Sequence, residues 1–175
     1  MPADIDFSSL SPADVLDLGI LSEEEARSRY AEFSEMMTTV HRNTEAARFF
    51  TFMADNETRH RELLTEQRRR HYPQDQRRIT STELFDVEAP AYEVAGAFMD
   101  LRACLEASLA SEEKAESFYR GAMAHAEHGE VRDLFGQLAE QEVGHQRMIR
   151  DKMAKAGEKS PVDPDDIADE PVGQD

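Results

Sequence analysis

Two short motifs each combine a glutamate and a histidine at a spacing that suits metal binding. Glu57 and His60 are three residues apart, and so are Glu142 and His145. In a helix this spacing places both side chains of a pair on one face, about one turn apart. Each pair could therefore offer one ion a carboxylate oxygen and an imidazole nitrogen.

Two further glutamates lie in stripes of otherwise apolar residues. Glu23 and Glu112 each fall where a three- and four-residue repeat predicts the buried face of a helix. The first stripe contains Leu16, Gly19, Glu23, Ala26, Tyr30, Phe33, Met37 and Val40, and the second contains Phe98, Leu101, Leu105, Ser108, Glu112, Ala115, Tyr119 and Ala122. Carboxylates are rarely buried unless they are paired or bind metal, because desolvating an isolated charge is costly. These two glutamates are thus candidate ligands as well.

The six side chains together satisfy the charge requirement of a site for two ions. Four converging carboxylates repel one another, whereas two divalent ions cancel their charge. One Glu from each of two helices and Glu-x-x-His from each of two others is the known ligand pattern of di-iron and di-manganese bundles. Oxygen and imidazole ligands without thiolate favour iron or manganese, so we expect two iron ions, with Mn or Zn as alternatives. The alternative without metal is a buried network of Glu–His hydrogen bonds.

Long helices must position these residues, because Gly and Pro are scarce within 12–71 and 92–156. The predicted helices run from Ser11-Pro12 to a break near Asn43-Thr44, from there to His71, over roughly 91–127, and from His128-Gly129 to Ala156 with Gly157 as the stop. The predicted inward residues of the second and fourth helices are Phe50, Ala54, Glu57, His60 and Leu64, and Leu134, Leu138, Glu142, His145 and Ile149.

The two halves of the chain repeat each other. The pattern S-E-E-x-A-x-S-x-Y occurs at 22–30 and again at 111–119. Residues 50–60 align with 135–145, keeping an aromatic residue, the glutamate and the histidine. The connection from Tyr72 to about Pro90 is long enough to run the length of a bundle. The sequence therefore predicts an all-α four-helix bundle, built from two repeated helical hairpins joined by a long crossover.

Composition narrows the classes of partner. The 175 residues include 20 Lys and Arg against 37 Asp and Glu, a net charge of −17, which argues against nucleic acid. The single cysteine, Cys104, excludes an intrachain disulfide and a thiolate zinc cluster, and it suits a reducing compartment. No apolar run approaches the ~20 residues that cross a bilayer. We expect a cytoplasmic protein with no membrane partner.

Charge also suggests how the chain is divided. Residues 158–175 carry seven acidic residues and one lysine, which is typical of a disordered segment. We therefore expect an N-terminal extension over 1–10, a bundle over 11–157 and an acidic disordered tail over 158–175.

The segments SEEEARSRY, ADNETRH, SEEKAESFY and AEQEVGH resemble the ferritin-like superfamily, most closely its rubrerythrin or erythrin branch, over about residues 10–157. The resemblance implies a ferritin-like bundle with a non-haem di-iron site. The ligands that it implies are Glu23, Glu57, His60, Glu112, Glu142 and His145, with Glu57 and Glu142 able to bridge. Tyr30 and Tyr119 follow two of these ligands by seven residues. They are interpreted as hydrogen-bond donors to ligand carboxylates, the alternative being core packing.

Two departures from the family pattern bear on function. Rubrerythrins carry a four-cysteine rubredoxin iron site, which one cysteine cannot build, so the electron donor must be another molecule. They also have an extra glutamate three residues after the ligand in the third helix, where this chain has Ala115. Glu116, one residue later, is expected to face solvent because it lies off the apolar stripe, the alternative being that it replaces the missing glutamate. The change moves the site toward the symmetric ferroxidase type of bacterioferritin.

The function implied by the resemblance is oxidation of Fe(II) by hydrogen peroxide or O2, serving peroxide removal or iron handling. Two alternatives stay open, namely a metal-binding protein without turnover and a manganese or mixed-metal oxidase. The expected assembly is a homodimer or a larger homo-oligomer.

Overall fold

The computed structural model describes residues 6–79 and 99–157, and four long helices account for most of them. The helices are α1 (Pro12–Thr39), α2 (Thr44–His71), α3 (Leu101–Met123) and α4 (Gly129–Gly157), preceded by a single 3-10 turn at Phe7–Ser9. The described residues contain no strand. The predicted all-α class is confirmed.

The helices form two hairpins that pack against each other. α1 pairs with α2 and α3 pairs with α4, and additional contacts join α1 to α3 and α2 to α4. His41, just after α1, bonds to the carbonyl of Met99, just before α3. At the opposite end, His71 of α2 stacks on His128, just before α4. The chain between α2 and α3 therefore joins opposite ends of the bundle, about 42 Å apart for a 28-residue helix, as the predicted crossover requires.

Polar side chains fix the beginnings of the helices. Ser11 accepts a bond from the backbone of Asp14, whose carboxylate bonds back to Ser11, and Pro12 occupies the first turn. Asn43 and Asp100 cap α2 and α3 by a single bond each, accepting the backbone N–H of Ala46 and of Ala103. The predicted start of α1 is confirmed.

The third helix is shorter than predicted. Met99 and Asp100 are not helical, and α3 begins at Leu101 because the Asp100 carboxylate accepts the backbone N–H of Ala103. The predicted turns over 91–98, including Phe98, lie outside the described residues. At its other end α3 stops at Met123 rather than 127, where the chain turns toward α4.

Two other predicted inward positions were wrong. Val40 lies beyond the end of α1 and is 53% exposed, because the chain reverses there through Arg42, whose φ is +49°. Ala54 is only half-buried, and its neighbour Met53 fills the core instead. The other predicted inward residues of α2 are all buried, so its buried face differs from the predicted one at this position alone.

Apolar side chains form two clusters, one toward each end of the bundle. The first includes Leu16, Leu64, Phe118, Phe135 and Leu138. The second includes Phe33, Met37, Phe50, Met53, Leu105 and Ile149. The six candidate ligands belong to neither cluster.

A buried carboxylate ties the segment after α2 to α1. Asp17 is 1% exposed and accepts bonds from Arg68 at 3.0 and 3.1 Å and from Arg77 at 3.2 Å. Arg78 pairs with Asp14 at 2.7 Å. Asp17 was not predicted to be buried and paired, because a lone Asp in an apolar stretch does not reveal partners that lie 51 and 60 residues further along the chain.

The residues before α1 pack on the bundle. The ring of Phe7 stacks on Phe118 and His125, with centroids 5.8 and 5.0 Å apart. Gly121 makes room for it, since a Cβ there would lie 2.7 Å from the Phe7 ring. The acidic segment 158–175 and residues 1–5 lie outside the described residues, so the domain boundaries stay predictions. Among the helices described, none has the length and apolarity to span a bilayer.

Candidate metal centre

Each of the four helices contributes a glutamate to one buried cluster, and two of them add a histidine. All six residues are at most 5% exposed. They are Glu23 on α1, Glu57 and His60 on α2, Glu112 on α3, and Glu142 and His145 on α4. The structure thus brings together every residue that the sequence singled out as a ligand.

The first half of the cluster surrounds the imidazole of His60. Its Nδ1 atom lies 3.1 Å from Glu57 Oε2 and 3.2 Å from Glu142 Oε1. The distance from Nδ1 to Glu23 Oε2 is 3.5 Å. Four residues from three helices therefore point donor atoms at one volume.

The second half surrounds the imidazole of His145. Its Nδ1 atom lies 3.0 Å from both Glu112 Oε2 and Glu142 Oε2. The distance from Nδ1 to Glu57 Oε1 is 3.5 Å. Glu57 and Glu142 thus present one oxygen to each imidazole, and the two rings lie nearly parallel with centroids 5.5 Å apart.

These contacts define two overlapping groups of four ligands. In each group the ligand atoms all lie within 4.8 Å of one another, and Glu57 and Glu142 belong to both. Two ions held in these groups would share a pair of carboxylates. Only oxygen and imidazole donors are present, a set that suits iron, manganese or zinc.

Several buried polar atoms of the cluster lack a hydrogen-bond partner within the described part of the chain. They are Glu57 Oε1, Glu142 Oε1 and His60 Nδ1. Leaving such atoms unpaired in the interior is unfavourable, by about 1–3 kcal/mol each. A cation among them would satisfy all three, so the residues present fit a metal better than they fit a closed hydrogen-bond network.

Burial and the neighbouring charges shift the pKa values of the cluster residues. Burial raises the pKa of Glu57 and of Glu142 well above the ordinary range, and the neighbouring carboxylates raise both further. Burial opposes charge on His60, but its carboxylate contacts, that with Glu142 foremost, outweigh this effect and raise its pKa. Burial likewise acts to raise the pKa of Glu112, yet contacts with Glu142 and His145 lower it overall. Nearby positive charge would therefore favour the ionised form of Glu57 and of Glu142.

Two tyrosines bond to cluster carboxylates across the two hairpins. Tyr30 on α1 donates its hydroxyl hydrogen to Glu112 on α3, and Tyr119 on α3 donates to Glu23 on α1. Both side chains are at most 2% exposed. Each hairpin thus supplies the tyrosine that holds the other hairpin's glutamate.

Aromatic stacking repeats in the two halves as well. Tyr30 stacks on Phe50 and Tyr119 stacks on Phe135, with centroids 6.2 and 6.0 Å apart. Phe50 and Phe135 are the aromatic residues that the sequence repeat aligns. The repeat therefore extends from the ligands to the side chains that support them.

Glu116 does not take the place of the glutamate missing at Ala115. Its carboxylate bonds to Arg120 and to Gln146, each at 2.8 Å, and these contacts lower its pKa. Neither partner belongs to the cluster. Ala115 itself is 8% exposed and offers no donor atom.

Two glutamines that the sequence did not single out contact the cluster. Gln141 Oε1 lies 3.0 Å from His60 Nε2, and Gln146 Nε2 donates to the backbone carbonyl of Glu112 at 3.3 Å. Gln141 directly precedes Glu142 in the repeat motif, which was the available signal. Gln141 contacts His60 in the other hairpin, however, and residue spacing within one helix does not reveal contacts between hairpins.

Two solved structures share the fold of this chain. A crystal structure of an uncharacterized conserved protein from Magnetospirillum magnetotacticum MS-1 is similar over 86% of this chain and 98% of its own, with 23% identity and a TM-score of 0.69. A hypothetical protein from Pyrococcus furiosus is similar over 90% of this chain and 97% of its own, with 18% identity and a TM-score of 0.65. These likenesses concern the fold. A search of curated proteins found no match.

The family comparison covers both the fold and the cluster. The Rubrerythrin family model matches residues 14–153, and a second match covers 103–170. The first match includes all six cluster residues and both tyrosines. The chain belongs to the rubrerythrin family.

Proposed function

We propose that the protein binds two metal ions at this cluster, with iron as the preferred metal, and that it oxidises Fe(II) at the cluster with hydrogen peroxide or O2. The ligands are Glu23, Glu57, His60, Glu112, Glu142 and His145. The role of this reaction in the cell would be to remove peroxide or to convert Fe(II) to Fe(III) for iron handling.

The observation that carries this proposal is the position of the two shared carboxylates. Glu57 and Glu142 each direct one oxygen toward His60 and the other toward His145. Carboxylates so placed can bridge two ions. A structural hydrogen-bond network would not need four buried carboxylates with unpaired atoms among them.

Bound iron would supply one-electron chemistry, since two Fe(II) can give the two electrons that, with two protons, convert hydrogen peroxide to two waters or O2 to hydrogen peroxide. The chain's own residues set the conditions. Tyr30 and Tyr119 hold Glu112 and Glu23 by hydrogen bonds, and the apolar clusters on either side exclude bulk water. Because Ala115 adds no ligand, both halves offer the same ligand types, as in a symmetric ferroxidase site.

The proposal also extends to the partners of the reaction. An external electron donor restores the reduced state, because the single Cys104 cannot form a four-cysteine iron site. A cytoplasmic location fits that lone, buried thiol. A homodimer or a larger homo-oligomer is the proposed assembly, and sedimentation analysis would test it.

The decisive experiment begins with metal analysis of protein purified without a metal-affinity tag. Mass spectrometry should find two metal ions per chain after loading with Fe(II). Stopped-flow mixing with O2 and with hydrogen peroxide, in separate runs, should then show oxidation faster than that of free Fe(II). Faster reaction with peroxide indicates a peroxidase role, and faster reaction with O2 indicates a ferroxidase.

Three results would overturn the proposal. Metal bound without accelerated oxidation would make the protein a metal carrier. Turnover with Mn(II), but not with iron alone, would make it a manganese or mixed-metal oxidase. No uptake of Fe(II) or Mn(II) would make the cluster a structural network.

A further inference from the structure

Gln141 connects the surface of α4 to a buried imidazole on α2. Its side chain is exposed, whereas His60 is 1% exposed, and 3.0 Å separates Gln141 Oε1 from His60 Nε2. Gln141 is the residue directly before Glu142, a carboxylate shared by the two halves of the cluster. A single residue of α4 thus contacts His60 Nε2, the ring nitrogen that does not face the cluster carboxylates.

The chemistry of this contact selects one form of the imidazole. With Nδ1 facing the carboxylates as a metal ligand, the ring hydrogen belongs on Nε2, and the amide oxygen of Gln141 is placed to accept it. In the neutral ring the remaining lone pair then belongs to Nδ1. Nδ1 is the atom that lies 3.1 and 3.2 Å from the shared carboxylates. Gln141 therefore turns the nitrogen able to bind metal toward the cluster.

The sequence repeat shows that the contact is not duplicated. Asn56 holds the position equivalent to Gln141, directly before Glu57. Its amide nitrogen donates to the carbonyl of Phe52 at 3.0 Å, and its amide oxygen accepts from Arg59 at 2.8 Å. Among the described residues, no hydrogen bond joins Asn56 to His145. Asparagine is also one methylene shorter, so this side chain bonds within its own helix.

We infer that Gln141 positions His60 and thereby makes the two metal positions unequal. This inference rests on the proposed function and adds to it the order in which the two metal positions are filled. The ion beside Glu23 and His60 meets an imidazole already oriented, and it binds more tightly than the ion beside Glu112 and His145. Gln141 touches no ion and acts only through His60.

Stepwise metal binding tests this inference on the full chain. Co(II) is titrated calorimetrically into the metal-free protein, the Gln141→Leu variant, the Gln141→Glu variant and the matched Asn56→Leu control. Loss of an oriented partner of a metal-binding histidine typically weakens metal affinity by about 10- to 100-fold. We expect this loss of affinity only in the Gln141→Leu variant, and there only in the tighter of the two binding steps. Gln141→Glu keeps an acceptor at the same place and should retain tight binding.

A spectroscopic signal separates positioning from a general loss of structure. In the Zn(II)-loaded protein, the His60 Nε2–H should give a slowly exchanging proton resonance, because the bond to Gln141 shields it. The resonance should disappear in Gln141→Leu and persist in Gln141→Glu and Asn56→Leu.

The outcomes distinguish this inference from the proposed function. If the unmodified protein binds no Co(II), the proposed metal site and the unequal loading inferred from it are both wrong. If it binds two ions, but Gln141→Leu binds each of them as tightly as the unmodified protein does, or Asn56→Leu loses as much affinity as Gln141→Leu, the inference about Gln141 is wrong and the metal site stands.

Discussion

The two shared carboxylates are the residues on which both halves of the cluster depend. Replacing either Glu57 or Glu142 by alanine removes one oxygen from each group of ligands, so we expect both variants to lose the pair of metal ions. Metal content after loading with Fe(II) measures the effect. Glu116→Ala is the matched control, since Glu116 bonds to Arg120 and Gln146, and it should keep two ions per chain. Loss of metal from that control would contradict the ligand assignment.

The buried tyrosines give a prediction about stability. Tyr119→Phe removes the hydroxyl that bonds to Glu23 and leaves a buried carboxylate oxygen without that donor. We expect the metal-free protein to lose about 1–3 kcal/mol in its free energy of unfolding. Urea denaturation checks this, with Tyr72→Phe, a partly buried residue outside the cluster, as the control. Equal stability of the two variants would show that the Tyr119 bond contributes nothing.

At the scale of elements, the bond network of Asp17 holds the segment after α2 against α1. Asp17→Ala leaves the guanidinium of Arg68, whose side chain is 11% exposed, without its carboxylate. Breaking a buried pair in this way typically destabilises a protein by about 3–5 kcal/mol. The control is Glu113→Ala, because the pair of Glu113 with Arg150 is half exposed and such pairs contribute about 0–1 kcal/mol. A similar change in both unfolding curves would contradict the prediction.

Two helical glycines should respond in opposite ways to the same substitution. A Cβ at Gly144 meets nothing within 4 Å, so Gly144→Ala should stabilise α4 by about 1 kcal/mol. A Cβ at Gly121 would lie 2.7 Å from the Phe7 ring, so Gly121→Ala must displace that ring. We expect a higher midpoint of denaturation for Gly144→Ala and a lower one for Gly121→Ala. A gain in both would show that the Phe7 contact is dispensable.

The sequence was a good guide to helices and to the type of each ligand. The period of apolar residues predicted the buried face of α1, and the cap at Ser11 predicted its start, because both signals are local. The start of α3 was missed, since the Asp100 cap was not recognised within a helix-compatible stretch. Contacts between hairpins, such as Gln141 with His60, could not be predicted because they depend on how the hairpins pack.

At the scale of the whole molecule, bound metal should stabilise the packing of the hairpins, since the ligands come from all four helices. An ion present at 100 times its dissociation constant adds about 2.7 kcal/mol per site. For a domain of this size that is a rise of about 5–10 °C in the unfolding temperature. Calorimetry with Mn(II) and with a chelator measures the difference. Glu57→Ala should show no rise, and an equal rise in that variant would place the binding elsewhere.

The exchange of tyrosines between hairpins bears on the origin of the chain. Neither hairpin is complete alone, because Tyr30 serves Glu112 and Tyr119 serves Glu23. Two copies of one ancestral hairpin, related by a twofold axis, would nevertheless hold a full set of ligands and both tyrosines. Gene duplication and fusion would convert such a dimer into a single chain. Only after fusion could the halves diverge, as Gln141 and Asn56 have done.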